Sequence, residues 1–138
     1  MPKVRASRYI LRGSSGSGLT NLGAGVSVFQ GINGNGVNGT IGNVDLVRMP
    51  FPGIIRDLRI KYTIALGRTN TYTLMKNGVA TALTISLGAS DTSGADLVNS
   101  VSVNTDDTLC WRVTNTDVSS TGALSNCFLG FSAVYLAV

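Results

Sequence analysis

The sequence predicts an all-β fold, an antiparallel jelly-roll-like β-sandwich of about eight strands with an extended glycine-rich N-terminal arm. Three observations predict it. Apolar and polar residues alternate in short runs after residue 43, and turn residues separate the runs. Glu is absent and all seven acidic residues are Asp, a bias that favours turns over helices. A length of 138 residues suits one domain with a buried core.

Composition divides the chain into two parts, an arm at 1–43 and a sandwich domain at 44–138. The stretch 13–43 carries no charge and contains ten glycines. It is either a flexible linker or an arm that becomes ordered only against a neighbouring subunit. The residues before it are basic, namely Lys3, Arg5, Arg8 and Arg12.

Alternating residues predict the strands of the sandwich. The clearest run is 54–66, where Leu58, Ile60 and Tyr62 would face the core while Arg59 and Lys61 face solvent. With a short strand in the arm, the predicted strands are 26–30, 44–49, 54–66, 71–76, 79–87, 97–103, 108–114 and 127–138.

One turn and one apolar run add detail to this pattern. Asn77-Gly78 lies between two β-like runs and predicts a tight hairpin, because both residues tolerate a positive φ. The strand 127–138 is almost wholly apolar, which is typical of a central strand or a subunit contact. Its candidate subunit-contact residues are Phe128, Phe131, Val134, Tyr135 and Leu136.

The net charge of +4 is concentrated in two places. The basic arm is one, and we expect it to be a solvated tail or to dock on an acidic protein surface. Arg56, Arg59, Lys61 and Arg68 are the other, near the longest strand. A solvated edge that resists strand pairing would explain them, as would a subunit or capsid contact. With one aromatic residue near the arm, we expect no nucleic-acid partner.

Residues that could carry chemistry have simpler structural explanations. The chain has no His, which excludes every imidazole-dependent site. Asp106-Asp107 is interpreted as a turn rather than a carboxylate pair or Ca²⁺ ligands, since the spacing differs from a calcium loop. Trp111 is either a core residue or a sugar-stacking platform. Cys110 and Cys127 are expected to be free buried thiols, although neighbouring strands would allow a disulfide. We expect no catalytic residue, metal or cofactor.

Four segments resemble a module of bacteriophage virion proteins: small jelly-roll domains of tumour-necrosis-factor-like shape. The segments are 52–60, 72–85, 101–113 and the closing apolar strand. The second, a hairpin around Asn77-Gly78-Val79, is the most telling. The third departs from the usual pattern, which carries Gly-Asp where this chain has Asp106-Asp107. The resemblance covers about two thirds of the chain and is architectural, so it implies a fold more strongly than a role.

The resemblance implies a virion structural protein, commonly a trimer. Our leading hypothesis is a capsid decoration (cement) protein that binds the major capsid protein or another virion protein and self-associates. The basic residues above would make the capsid contact. The alternative is a receptor- or glycan-binding tip of a head or tail fibre, with the loops 88–96 and 115–125 as contact surface. A small Asp-based hydrolase is a third hypothesis with little support from the residues.

The expected location of the protein rests on the absence of two sequence features, a signal peptide and a membrane helix. No apolar run typical of a signal peptide is present, and no stretch approaches the roughly 18 apolar residues of a membrane helix. We therefore expect synthesis in the host cytoplasm, assembly into the virion and no membrane partner.

Overall fold

A computed structural model describes residues 7–15, 25, 27–32, 37–38, 46–62, 65, 67–117 and 129–137. No helix in these ranges is long and apolar enough to cross a membrane. The described strands are β1 Ser7–Ser15, β2 Ser27–Gln30, β3 Val37–Asn38, β4 Val47–Arg48, β5 Gly53–Tyr62, β6 Asn70–Lys76, β7 Val79–Leu87, β8 Ser93–Val103, β9 Thr108–Asn115 and β10 Leu129–Ala137.

The strands form two antiparallel sheets. One has the order β1-β10-β5-β8, and the other has the order β3-β2-β9-β6-β7 with β4 also paired to β9. Pairing is nested, because β1 pairs with β10, β2 with β9, β5 with β8 and β6 with β7. A long antiparallel ribbon folded over in this way is a jelly roll. The predicted fold class is confirmed.

The core lies between the two sheets and is built from alternate residues of each strand. Ile55, Leu58 and Ile60 of β5 belong to it, and Trp111 of β9 is only 3% exposed. Trp111 is therefore a core residue, and the sugar-stacking alternative is wrong. In β7, Leu83, Ile85 and Leu87 are buried while the residues between them are exposed, as the alternation predicts.

The β6–β7 hairpin is confirmed. Lys76 pairs with Val79, and Asn77 and Gly78 have φ angles of 51° and 79°. Both values lie in the left-handed region that a type I′ turn requires.

A bulge at Asp57 changes which residues of β5 face the core. Asp57 has φ 55°, and the pairing with both neighbouring strands shifts register around it. Consequently Ile55 and Leu58 are both buried, although a regular strand would place them on opposite faces. Alternation from Leu58 to Tyr62 is confirmed. The strand ends at Tyr62, and residues 63, 64 and 66 of the predicted run lie outside the described residues.

Three predicted segments have different bounds or neighbours in the structure. β8 begins at Ser93, so part of the predicted loop 88–96 is strand. Of the predicted strand 44–49 the structure describes residues 46–49, and β4 covers Val47–Arg48 of these. β5 lies between β10 and β8, so the prediction that its basic residues protect a sheet edge is wrong.

Residues Ser7–Ser15 of the predicted arm form β1 and pair with β10 along their whole length. Pairing with β1 on one side and β5 on the other makes β10 a central strand, as predicted. The boundary between 1–43 and 44–138 stays a prediction.

Candidate binding surface

The outer side of the four-stranded sheet carries a row of basic residues, which we call the basic face. Arg56, Arg59 and Lys61 of β5 are all exposed and alternate with the buried residues Leu58 and Ile60. The bulge at Asp57 is what allows Arg56 and Arg59, three positions apart, to be exposed together. The basic face is therefore a product of the bulge as well as of alternation.

Backbone register brings part of the predicted basic arm to the same sheet. Arg12 of β1 is paired with Ser132 of β10, which is paired with Arg59, and Arg59 is paired with Ala95 of β8. Since neighbouring strands are about 4.8 Å apart, the backbones at Arg12 and Arg59 are about 10 Å apart. Arg8 occupies another row of the same register, opposite Leu136. Lys3 and Arg5 lie outside the described residues.

Small residues flank Arg59 and Lys61 on both sides. Lys61 is paired with Gly130 on one side and Ser93 on the other, whereas Arg56 is paired with Ser100 and with the buried Val134. Ser93, Ala95 and Ser100 of β8 are exposed. Long basic side chains next to small ones leave their donor groups accessible, with hydroxyl groups nearby.

Charge on the basic face is only partly compensated. Arg56 Nε lies 3.6 Å from Asp57 Oδ2, and both side chains are partly exposed. Within the described parts of the chain, Arg59 and Lys61 form no ion pair. Arg68 differs, because it is 1% exposed and buried near the start of β6. The prediction that Arg68 is solvated is wrong.

Of the predicted subunit-contact residues of β10 whose side chains the structure describes, two are buried and one is half-buried. Tyr135 is 3% exposed and packs in the chain's own core, and its hydroxyl donates a hydrogen bond of 2.5 Å to the carbonyl of Phe51. Val134 is also buried and Leu136 is half-buried. Phe128 lies outside the described residues, as does the side chain of Phe131. A subunit contact through this strand stays a prediction.

An open groove of about 370 Å³ lies where the edge strands β7 and β8 meet. Thr84 and Ser86 contribute to one wall, and Asp96 and Asn99 to the other. The groove includes the end of the predicted loop 88–96. The second predicted loop, 115–125, is described only as far as residue 117.

Asp96 is committed to structure rather than to a ligand. Its carboxylate accepts hydrogen bonds from the backbone N–H of Thr84 at 3.1 Å, Val98 at 3.2 Å and Asn99 at 3.0 Å, and from the Asn99 side chain. Burial alone would raise the pKa of Asp96, but these hydrogen bonds, led by those from Asn99, outweigh it and lower the pKa. The bond to Thr84 joins the edges of the two sheets.

The Asp106-Asp107 pair is a turn, as predicted. Asp106 has φ 67°, and Asp107 accepts hydrogen bonds from Asn104 N at 2.7 Å and Asn77 Nδ2 at 2.6 Å. These two contacts, in that order, lower the pKa of Asp107. In the parts of the chain that the structure describes, no three His, Cys, Asp or Glu residues are grouped to hold a metal.

Cys110 is a free, buried thiol beside Met75. Burial raises the pKa of Cys110 to about 11, so the thiol is protonated at neutral pH. Cys127 lies outside the described residues.

Sequence reasoning did not find two features of this surface. The sequence pattern placed Asp96 in a loop, and it did not lead us to predict the bulge at Asp57. A signal for the bulge was present: Arg56 is in phase with Leu58 and Ile60, so a regular strand would place its charge on the buried face.

Comparisons with known proteins give structural similarities only. No protein family and no curated protein sequence matches the chain. A similar solved structure is a CBM36-1 domain of a multidomain xylanase from the hindgut metagenome of Trinervitermes trinervoides. It has a TM-score of 0.45 and 10% identity, and the match covers 96% of this chain and 98% of that one. Another is a Podospora anserina GH26-CBM35 β-(1,4)-mannanase, with a TM-score of 0.41 and 12% identity over 97% of this chain and 26% of that one. Because both TM-scores are below 0.5, neither similarity carries an argument about a ligand.

Proposed function

We propose that this chain is a binding domain without catalytic chemistry, which recognises a glycan on a receptor through its basic face. The exposed row Arg56, Arg59 and Lys61 is the observation that carries the proposal. These side chains present several hydrogen-bond donors on a rigid strand, and the neighbouring Ser93 and Ser100 add hydroxyl groups. Such an arrangement suits a hydroxyl-rich ligand.

The chemistry of the remaining polar residues supports binding over catalysis. The chain contains no His to act as a general base near neutral pH. Asp96 and Asp107 are held by hydrogen bonds to backbone and amide groups that stabilise their charged forms. A catalytic acid would need the opposite shift in its pKa.

A virion location and a trimeric state remain part of the proposal, and the sequence resemblance alone supports them. The domain would then be the receptor-binding tip of a head or tail fibre. Capsid decoration, our leading hypothesis from the sequence, would use the same basic residues, but the seryl hydroxyls beside them favour a glycan ligand, so we place the receptor-binding role first.

A glycan array with the full chain tests the proposal. We expect the unmodified chain to bind a subset of glycans, and an Arg59→Ser/Lys61→Ser variant to lose most of that signal because the central donors are removed. Arg48→Ser is the matched control, since Arg48 is exposed on the other sheet. Absence of any array signal, together with copurification of the chain with capsids, would reject the receptor-binding role in favour of decoration.

A further inference from the structure

The basic face has a strong charge asymmetry. Arg56, Arg59 and Lys61 lie on β5, and the register brings Arg12 into the row of Arg59. Among described residues, the acid nearest this row is Asp57, which already contacts Arg56. A neutral ligand would leave the charges of Arg59 and Lys61 without a partner, whereas an anionic ligand would use them.

The spacing of the charges suits a chain-like ligand. Arg59 and Lys61 are two residues apart on one strand, which places their backbones about 7 Å apart. Arg56 continues the row towards the start of β5. A linear ligand lying along β5 can therefore meet successive cations without bending into a pocket. Guanidinium groups bind carboxylate and sulfate groups with two parallel hydrogen bonds, which adds geometric preference to the attraction.

Two other kinds of macromolecule fit this surface less well. None of the exposed residues of β5 and β8 is aromatic, so bases have no aromatic side chain to stack on. The exposed apolar residues near the row, Ile54, Leu97 and Val98, are aliphatic, and none is an aromatic anchor of the kind that concentrates binding energy in protein–protein interfaces. Serine hydroxyls beside cations suit the hydroxyl and acidic groups of a sugar chain.

We propose that the ligand is a linear acidic polysaccharide that lies along β5 and whose carboxylate or sulfate groups contact Arg59 and Lys61. This inference rests on the proposed function and narrows its ligand to one chemical class. The seryl hydroxyls of β8 contact sugar hydroxyls, and the same polymer without its anionic groups binds weakly.

Matched polymer pairs test the inference with the full chain. Polygalacturonate is compared with its methyl ester, and dextran sulfate with unmodified dextran, by isothermal titration calorimetry at 0.15 M salt. The carboxylate and sulfate pairs separate the two sources of negative charge. We expect at least one charged polymer to bind tenfold or more tightly than its uncharged partner, which corresponds to about one charge-assisted hydrogen bond.

Single substitutions locate the contact. Arg59→Ser should weaken binding of the charged polymer about tenfold, because one charge-assisted hydrogen bond is lost. Arg48→Ser removes the same charge from the other sheet and should change the affinity by less than about twofold. Circular dichroism and Tm confirm that both variants fold.

Four results would overturn the inference. Equal binding of charged and uncharged polymers would reject the acidic ligand while leaving a glycan-binding function in place. An Arg48→Ser effect as large as that of Arg59→Ser would show attraction by net charge alone. A DNA duplex that binds as tightly, with the same loss on Arg59→Ser, would identify a general polyanion surface. If no polymer binds and the glycan array is also blank, the proposed function fails as well.

Discussion

The side-chain amide of Asn77 donates a hydrogen bond of 2.6 Å to Oδ1 of Asp107 and so joins the β6–β7 turn to the β8–β9 turn. Oδ1 of Asn77 accepts a second bond from the backbone N–H of Thr108 at 2.8 Å, and the backbone N–H of Asn77 donates to the carbonyl of Thr108. One turn residue thus ties the β6–β7 hairpin to the turn that links β8 of one sheet with β9 of the other. The β6–β7 turn therefore contributes hydrogen bonds that stabilise the fold, in addition to reversing the chain.

Replacement of Asn77 by Asp should weaken this connection by charge repulsion. The variant keeps the positive φ and an acceptor for Thr108, but it replaces the donor to Asp107 with a second carboxylate. We expect Tm to fall by several degrees at pH 7 and to recover in part as the pH is lowered and the carboxylates are protonated. An NMR titration should also show a raised pKa for Asp107.

Asn77→Gly is the matched control for that experiment. Glycine tolerates the turn and loses the side-chain hydrogen bonds to Asp107 and from Thr108 without adding a charge. Its Tm should therefore fall by an amount that depends little on pH. Identical pH profiles for the two variants would contradict the repulsion.

Asp96 should make the stability of the protein sensitive to acid. Because its pKa is lowered in the folded state, its stabilising effect is present above the unfolded value of about 3.9 and is lost as the pH falls through the folded value. Urea denaturation between pH 7 and pH 2 should show this loss. Asp96→Asn should lower the free energy of unfolding by about 2 kcal/mol at pH 7 and flatten the acid limb of the profile.

A matched control for Asp96 is Asp91→Asn. Asp91 is exposed and accepts one hydrogen bond, from the N–H of Gly88, which an amide oxygen can also accept. Its effect should be within about 0.5 kcal/mol. If Asp96→Asn leaves the acid limb as steep as that of the unmodified chain, Asp96 is not its source.

Gly53 marks a close approach between β5 and β10 that has no room for a side chain. A Cβ at this position would overlap the backbone carbonyl of Leu136 and the ring of Tyr135. Gly53→Ala should therefore lower the free energy of unfolding by about 3 kcal/mol, measured by urea denaturation. Gly88→Ala should be far milder, because its closest neighbour is the far end of an exposed Asp91 side chain at 3.1 Å rather than backbone. Equal effects of the two changes would contradict the overlap.

Asn70 offers a stabilising substitution. It is 1% exposed, and neither amide atom has a hydrogen-bond partner in the described structure. It lies in β6 between Leu87 and Asn115. Asn70→Val should raise the free energy of unfolding by about 1 kcal/mol, because it removes an unsatisfied polar group and suits a strand.

The neighbouring Asn115 provides the opposite expectation. Its Oδ1 accepts a hydrogen bond of 3.1 Å from the N–H of Asp117, so Asn115→Val should lower the free energy of unfolding by about 1–2 kcal/mol. Destabilisation by Asn70→Val of the same size would mean that the Asn70 amide is satisfied in solution.

Features that depend on neighbouring residues could be predicted from the sequence, whereas features that depend on long-range pairing could not. The Asn77-Gly78 hairpin and the alternation in β7 depend on neighbours in sequence, and both were predictable. Asp96 was not, because its burial depends on β7 lying beside β8. The burial of Arg68 was also missed, because the residues around it in the sequence indicated a solvated turn.

Sequence alone determined that this protein is an all-β sandwich, because a two-residue period and turn-forming residues act over a few neighbouring positions. The tertiary structure decided which surfaces those strands create. Pairing of β1 with β10 and of β10 with β5 brings Arg12 into one row with Arg59, although 47 positions separate them. The bulge at Asp57 then exposes Arg56 and Arg59 together. Register between distant strands has no local signal, so only the assembled sheet produces the basic face.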